Sequence, residues 1–285
     1  MVSNNTKNFF QKMINIDRRI IFAFIFIALS IPMFISIDMD ISISSSVQSL
    51  YDSIEKLPDN AKIIVSLDYD PSSEPELQPM AETFLTYALK RNFKIIAIGL
   101  WPQGPVQAER ARVVAEQTAG EEYVYGEDYI NLGFQAGNEM VIQRMGSSIP
   151  DMFPRDYRGE IVETFPIMKG VKNFSNIDYV FNLSAGYPGT LEWVLYAADR
   201  FDVTVGAGNT AVQAPQMYPY LGGQLQGLAG GMKGGAEFEI LTNLKGRAVK
   251  YMVGQTFAHT VIVLFIVIAN IAYFATRKSK KGDLL

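Results

Sequence analysis

Two apolar runs near the two ends of the chain constrain its fold more than any other feature. Residues 20–37 (IIFAFIFIALSIPMFISI) and 257–275 (FAHTVIVLFIVIANIAYFA) carry no Asp, Glu, Lys or Arg. Each is close to the roughly 20 residues that a helix needs to cross about 30 Å of hydrocarbon. Lys7, Lys12, Arg18 and Arg19 precede the first run against Asp17 alone, and Asp38 and Asp40 follow it. Lysine and arginine are retained on the cytoplasmic side, so the N-terminus is expected there. Arg277, Lys278, Lys280 and Lys281 after the second run place the C-terminus on the same side. The segment after the first run (DMDISISSS) has no A-x-A-like cleavage site, so the run reads as an anchor rather than a removable signal. The expected organisation is a basic tail at 1–19, a transmembrane helix at 20–37, a connector at 38–60, an extracytoplasmic α/β domain at 61–256, a second transmembrane helix at 257–276 and a basic tail at 277–285. Such a chain is a two-pass integral membrane protein with its central domain periplasmic or extracellular.

The net charge of −4 hides a segregation: residues 38–256 hold 17 basic and 27 acidic residues, whereas each flanking part is net positive. An acidic outer domain repels phosphate-rich polymers and anionic lipid headgroups, which argues against nucleic acid as a partner, while membrane lipid is the expected partner of the two apolar runs. There is no cysteine, and the single histidine is His259, inside the second run. Thiol chemistry, Ser-His and Cys-His catalysis and multi-histidine metal sites are therefore absent from the outer domain.

Between the runs, apolar strands alternate with amphipathic helices, the order of a parallel sheet covered on both faces. A connector helix is expected over 46–57. Strands are expected at 63–68 (IIVSLD), 94–100 (KIIAIGL), 122–125, 179–183 (YVFNL) and 203–206, with helices at 76–91, 106–119, 132–144 and 189–200. Residues 146–176 read as irregular. The expectation is a Rossmann-like or flavodoxin-like, mostly parallel sheet of about five strands, with one transmembrane helix at each end.

Residues 203–236 carry Lys233 as their sole charge, and seven glycines crowd into 222–235. Each glycine costs a helix roughly 1 kcal/mol relative to alanine, so close backbone packing must compensate if the segment is helical. Four readings are open for the Gly-rich segment 221–236: a flexible loop, a helix packed closely within its own domain, a membrane-surface segment, or a contact between subunits. In the last, Gly223, Gly227, Gly230, Gly231 and Gly234 would form the oligomer interface, because their spacing puts small residues on shared faces. Neither phosphate-loop pattern is present.

The candidate chemistry lies at the strand ends. Asp68 and Asp70 close the first strand, and carboxylates so placed can hold a hard divalent cation, the only cofactor the residues suggest. The alternative is turn chemistry, since Asp70-Pro71 favours turn initiation. Over about eight residues the apolar strand ending in D-x-D resembles the first motif of haloacid-dehalogenase-like phosphohydrolases. That resemblance implies Asp68 as nucleophile and Asp70 as general acid, with Ser184 as the small hydroxyl residue. No later strand ends in the paired aspartates of that family. Trp101, Glu127, Ser184 and Asn209 join Asp68 and Asp70 as candidate ligand-binding residues in the edge loops, whose hydroxyls, amides, aromatics and acids suit a sugar, a peptide or a metal better than a phosphorylated ligand.

With no recognisable base beside a nucleophile, the leading expectation is a membrane-anchored, non-enzymatic binding or assembly subunit, homo-oligomeric and open to other membrane or envelope proteins. The alternative is a metal-dependent hydrolase or transferase acting on envelope carbohydrate through Asp68 and Asp70.

Overall fold

The computed structural model describes residues 16–35, 40–244 and 246–282. Residues 1–15 of the expected N-terminal tail, residues 36 and 37 of the first expected span and 283–285 of the C-terminal tail lie outside the described residues. The chain divides into two compact units, Met1–Met39 with Lys250–Leu285, and Asp40–Val249.

The first unit pairs helix α1 (Arg18–Phe34) with the long helix that ends the chain. Asp17 starts α1 by accepting the Arg19 amide at 2.9 Å. The rings of Phe24 and Phe265 meet edge-on at 5.8 Å. Phe22, Phe26, Val263 and Ile266 turn outward and stay exposed. Among the described residues one helix is long and apolar enough to cross a membrane, Ala248–Ala275 with 28 residues, rather than one at each end as the sequence suggests. Helix α1 stops at Phe34 after 17 residues, a rise of about 25 Å, short of a full bilayer core.

The second unit is an α/β domain. Its sheet has six strands, one more than expected: β1 (Lys62–Asp68), β2 (Lys94–Gly99), β3 (Tyr129–Phe134), β4 (Tyr179–Ser184), β5 (Val205–Asn209) and β6 (Leu225–Gly230). They run parallel in the order β3-β2-β1-β4-β5-β6. That order is the Rossmann-like one and not the flavodoxin-like 2-1-3-4-5. Successive side chains point to opposite faces, so Ile63, Val65 and Leu67 enter one core while Ile64 enters the other. Helices α2 (Ser45–Glu55), α3 (Glu74–Lys90) and α4 (Gly104–Ala119) cover the first face. The second is covered by α5 (Glu139–Met145), α6 (Ile149–Met152), the turns of 162–176, α7 (Thr190–Trp193, continued by a π turn to Ala198) and α8 (Ala214–Met217). Burial on both faces is why these strands read as continuous apolar runs. Helix α9 (Gly231–Leu241) closes the first face against α3 and β6, and α10 (Ala248–Gly282) begins at the end of this unit.

One strand lies elsewhere than the sequence suggests, and one is not expected at all. The third falls at Tyr129–Phe134, after the expected 122–125, where only Tyr125 makes an isolated bridge. The polar run Glu121-Glu122 and Glu127-Asp128 flanks a turn instead. The expected helix over 132–144 accordingly shortens to α5, because Gly133 and Gly137 adopt positive φ before it. The sixth strand occupies the glycine-rich segment. At Gly227 a Cβ would sit 2.1 Å from the Leu50 amide nitrogen, so the backbone of α2 reaches β6 only over a glycine.

Candidate binding crevice at the carboxyl edge

The strand order reverses between β1 and β4, whose last residues, Asp68 and Ser184, are register partners. Chain segments leaving two such strands diverge, and ligands of open α/β sheets bind in the crevice between them. Every strand is parallel, so the loops after β1 to β5 gather on this edge.

Asp68 does not present its carboxylate to the crevice. It is fully buried, with Oδ1 accepting the Leu100 amide at 2.7 Å. Oδ2 accepts the Ser66 hydroxyl at 2.7 Å, the Asn182 side-chain amide at 2.6 Å and the Trp193 indole at 3.4 Å. Burial pushes its carboxyl up to about 7 in spite of these four donors. Asp70 lies in the following turn and caps it, accepting the Ser72 hydroxyl at 2.7 Å and the Ser72 amide at 3.0 Å. The Ser72 bond holds its carboxyl below the usual range. The two aspartates thus serve different structures, and no group of three or more metal-binding side chains exists among the described residues. A nucleophile must reach its substrate, which the enclosure of Asp68 prevents. The divalent-cation and phosphohydrolase readings lose their shared geometry.

Ser184 and Asn209 do meet. The Asn209 side-chain amide donates to the Ser184 carbonyl at 3.2 Å, to Thr190 Oγ1 at 2.8 Å and to Gln213 Oε1 at 2.8 Å. The Ser184 hydroxyl lies 3.1 Å from Gln213 Oε1, and Gln213 Nε2 donates to the Gly186 carbonyl at 3.1 Å. Thr190 in turn donates to Asn182 at 2.6 Å, which connects this group to Asp68. Gly189 is required here, since a Cβ would sit 1.9 Å from Ser184 Oγ. Trp101 joins the loops after β2 and β4, its indole N–H donating to the Pro188 carbonyl at 2.8 Å. Glu127 is absent from the crevice: it precedes β3 and so lies at the amino edge of the sheet.

The sequence points to the rim loop that holds Tyr187 but not to Glu139, Met140 or Val212. Tyr187 is 60% exposed and its hydroxyl donates to Glu139 at 2.7 Å, while Val212 is 83% exposed and Met140 57%. Glu76 accepts the Ala211 amide at 2.7 Å. The loops and first helical turns over 69–76, 100–107, 135–143, 185–193 and 210–217 contain Asp70, Glu74, Glu76, Glu139 and Glu192 and not one Lys, Arg or His. Residues such as Asn182 inside an apolar strand and Thr190 at a helix start were the available signals for the buried part.

The interface glycines mostly touch their own domain. An added Cβ would meet Leu50 at Gly227, Ala214 at Gly230, Ala211 at Gly231 and Ala229 at Gly234, whereas Gly223 has only the Tyr220 carbonyl at 3.8 Å. No family model, curated protein or solved structure matches the chain.

Proposed function

We propose that the chain is a membrane-anchored, non-enzymatic binding or assembly subunit whose α/β domain stands outside the cytoplasm and receives a partner over the carboxyl edge of its sheet. One observation carries the reading: five edge loops combine exposed Tyr187, Met140 and Val212 with acids and no cation. With the nearby Arg110 held by Glu74, a site of that character offers little to pair with a phosphate and suits a neutral or cationic surface. The buried hydrogen-bond network beneath it supplies rigidity and leaves no activated nucleophile.

Two passes complete the reading, with the apolar run 20–37 as the first and both termini in the cytoplasm. The basic residues before α1 and at the end of α10 support it. Anchoring at both ends orients every copy alike and raises its local concentration, which favours self-assembly. The absence of cysteine makes the test clean. A single cysteine replacing exposed Gln216 should react in intact cells with a maleimide that cannot cross the membrane, and one replacing Ser3 should react only after lysis. The particle in mild detergent should have a mass that is a multiple of 31.7 kDa. Labelling of the two positions under the same condition, or a monomeric particle, would overturn the topology or the self-assembly respectively.

A further inference from the structure

Asp68 is fully buried beneath the crevice, deeper than Glu192 at 7% exposure, and the binding role leaves it unused. Its four partners come from four places: Ser66 on β1, Leu100 after β2, Asn182 on β4 and Trp193 in α7. The Leu100 amide and the Trp193 indole can only donate, and the Asn182 NH2 is held toward Asp68 because the Asn182 oxygen takes the Thr190 hydroxyl. Such a set is built for a carboxylate that accepts from every side. A protonated Asp68 must donate, and Ser66 Oγ is the single partner able to receive. A proton on Oδ2 removes one of its lone pairs, and the 3.4 Å bond from Trp193 is the weakest of the three competing there.

These bonds reach the mouth of the crevice. Leu100 directly precedes Trp101, whose indole holds Pro188. Asn182 continues through Thr190 and Asn209 to Gln213, which holds Gly186.

We infer that Asp68 is a proton-operated switch for the crevice: ionised, it draws Leu100, Asn182 and Trp193 together, and on protonation it releases Trp193 and loosens the Trp101–Pro188 clamp. As regulation of the binding site it rests on the function proposed above, but the switch itself is visible with no partner present. Burial sets the transition near neutral pH. The titratable groups on the packed elements are otherwise engaged. On the same strand Tyr69 donates to Gln78, and burial pushes its hydroxyl well above the ordinary range, so it stays neutral. On α3, Glu74 pairs with Arg110 and Glu82 with Arg247. On α7, Glu192 accepts the Gly189 amide at 2.7 Å, and on α5, Glu139 takes the Tyr187 hydroxyl. None of them hydrogen-bonds Asp68.

The chain has two tryptophans, and both are in this network, so tryptophan emission, excited beyond the absorption of the 14 tyrosines, reports on it. The full chain in detergent micelles, titrated from pH 5 to 9, should show a one-proton change in emission with a midpoint near 7. His259→Gln should leave the change in place, which separates it from the chain's single histidine. Asp68→Asn should abolish it. Trp193→Phe removes a donor that only the carboxylate uses, so the midpoint should rise, with Trp101 as the remaining reporter; this variant carries the test if the Asn variant does not fold. The inference is overturned by a flat wild-type profile, by a transition that survives Asp68→Asn or vanishes in His259→Gln, or by a midpoint that Trp193→Phe leaves unmoved. A failed partner or topology experiment would not alter any of these results.

Discussion

Glu239, on the last helix of the domain, accepts the backbone N–H of Ala248 at 2.7 Å. Ala248 is the first residue of α10, so a side chain from the α/β domain caps the helix that is long enough to cross a membrane. The Gly246 and Val249 amides also bond this carboxylate, while burial, the larger influence, pushes its carboxyl up. The first amides of a helix have no intrahelical acceptor, and a lost cap costs about 1–2 kcal/mol. Glu239→Ala should lower the stability of the domain by that amount in urea denaturation, with Glu239→Gln retaining part of it. Equal stability of the alanine variant would show that the bond carries no net energy.

The stability of the domain should fall as pH rises through the acid range. Asp68 has its folded value near 7 and an unfolded value near 3.8. Between these the folded chain keeps a proton that the unfolded chain has released, so each rise in pH favours unfolding until about pH 7, above which the loss is complete. The shift corresponds to about 4 kcal/mol at most. Burial pushes Glu82, Glu192 and Glu239 the same way. Urea midpoints at pH 4.5, 5.5, 6.5 and 7.5 should therefore decline in the wild type and decline less in Asp68→Asn. An identical slope in the two would contradict the assignment.

Much of the fold was legible because burial on both faces leaves an unmistakable mark: Ile63 to Leu67, Ile95 to Ile98 and Tyr179 to Leu183 are apolar runs between amphipathic helices. What escaped did so for physical reasons. Strand β6 reads LQGLAG, and glycine is poor in strands unless another backbone must come close, a requirement that only the position of Leu50 reveals. Strand β3 contains Asn131 and Gly133, and its Leu132 falls in phase with the apolar residues of α5, so the strand and the following helix merge into one apparent helical pattern. Asp68 and Asp70 are two residues apart and look like a pair. The pleat sends the first into the sheet, and the turn keeps the second at the surface, which no spacing rule distinguishes from a metal site.

Arg247 provides a second test of how buried charge is held. Its guanidinium takes both oxygens of Glu82, with the Nε bond at 3.0 Å. The Glu82 side chain is 7% exposed and that of Arg247 46%. Removing one partner of an enclosed pair leaves an uncompensated charge, which costs more than the pair itself contributes. Solvent around the arginine moderates the loss, so Arg247→Ala should cost about 2 kcal/mol at neutral pH. Lowering the pH protonates Glu82 and removes that charge, so the difference between variant and wild type should shrink toward pH 4. A difference independent of pH would point to lost packing by the arginine stem.

Gly227 and Gly223 separate the two explanations of the glycine-rich segment. At Gly227 a Cβ would lie 2.1 Å from the Leu50 nitrogen and 2.3 Å from its Cα, and these backbone atoms cannot rotate away. Either β6 or α2 has to move, so Gly227→Ala should cost about 3 kcal/mol and lower the thermal midpoint of the domain by several degrees. At Gly223 the nearest atom is 3.8 Å away, and alanine should change stability by less than about 0.5 kcal/mol. If the glycines instead serve a contact between subunits, Gly227→Ala should leave the melting of a dilute sample unchanged and alter the particle mass. The close approach of Leu50 predicts the opposite pattern, with the monomer itself destabilised before any assembly is considered.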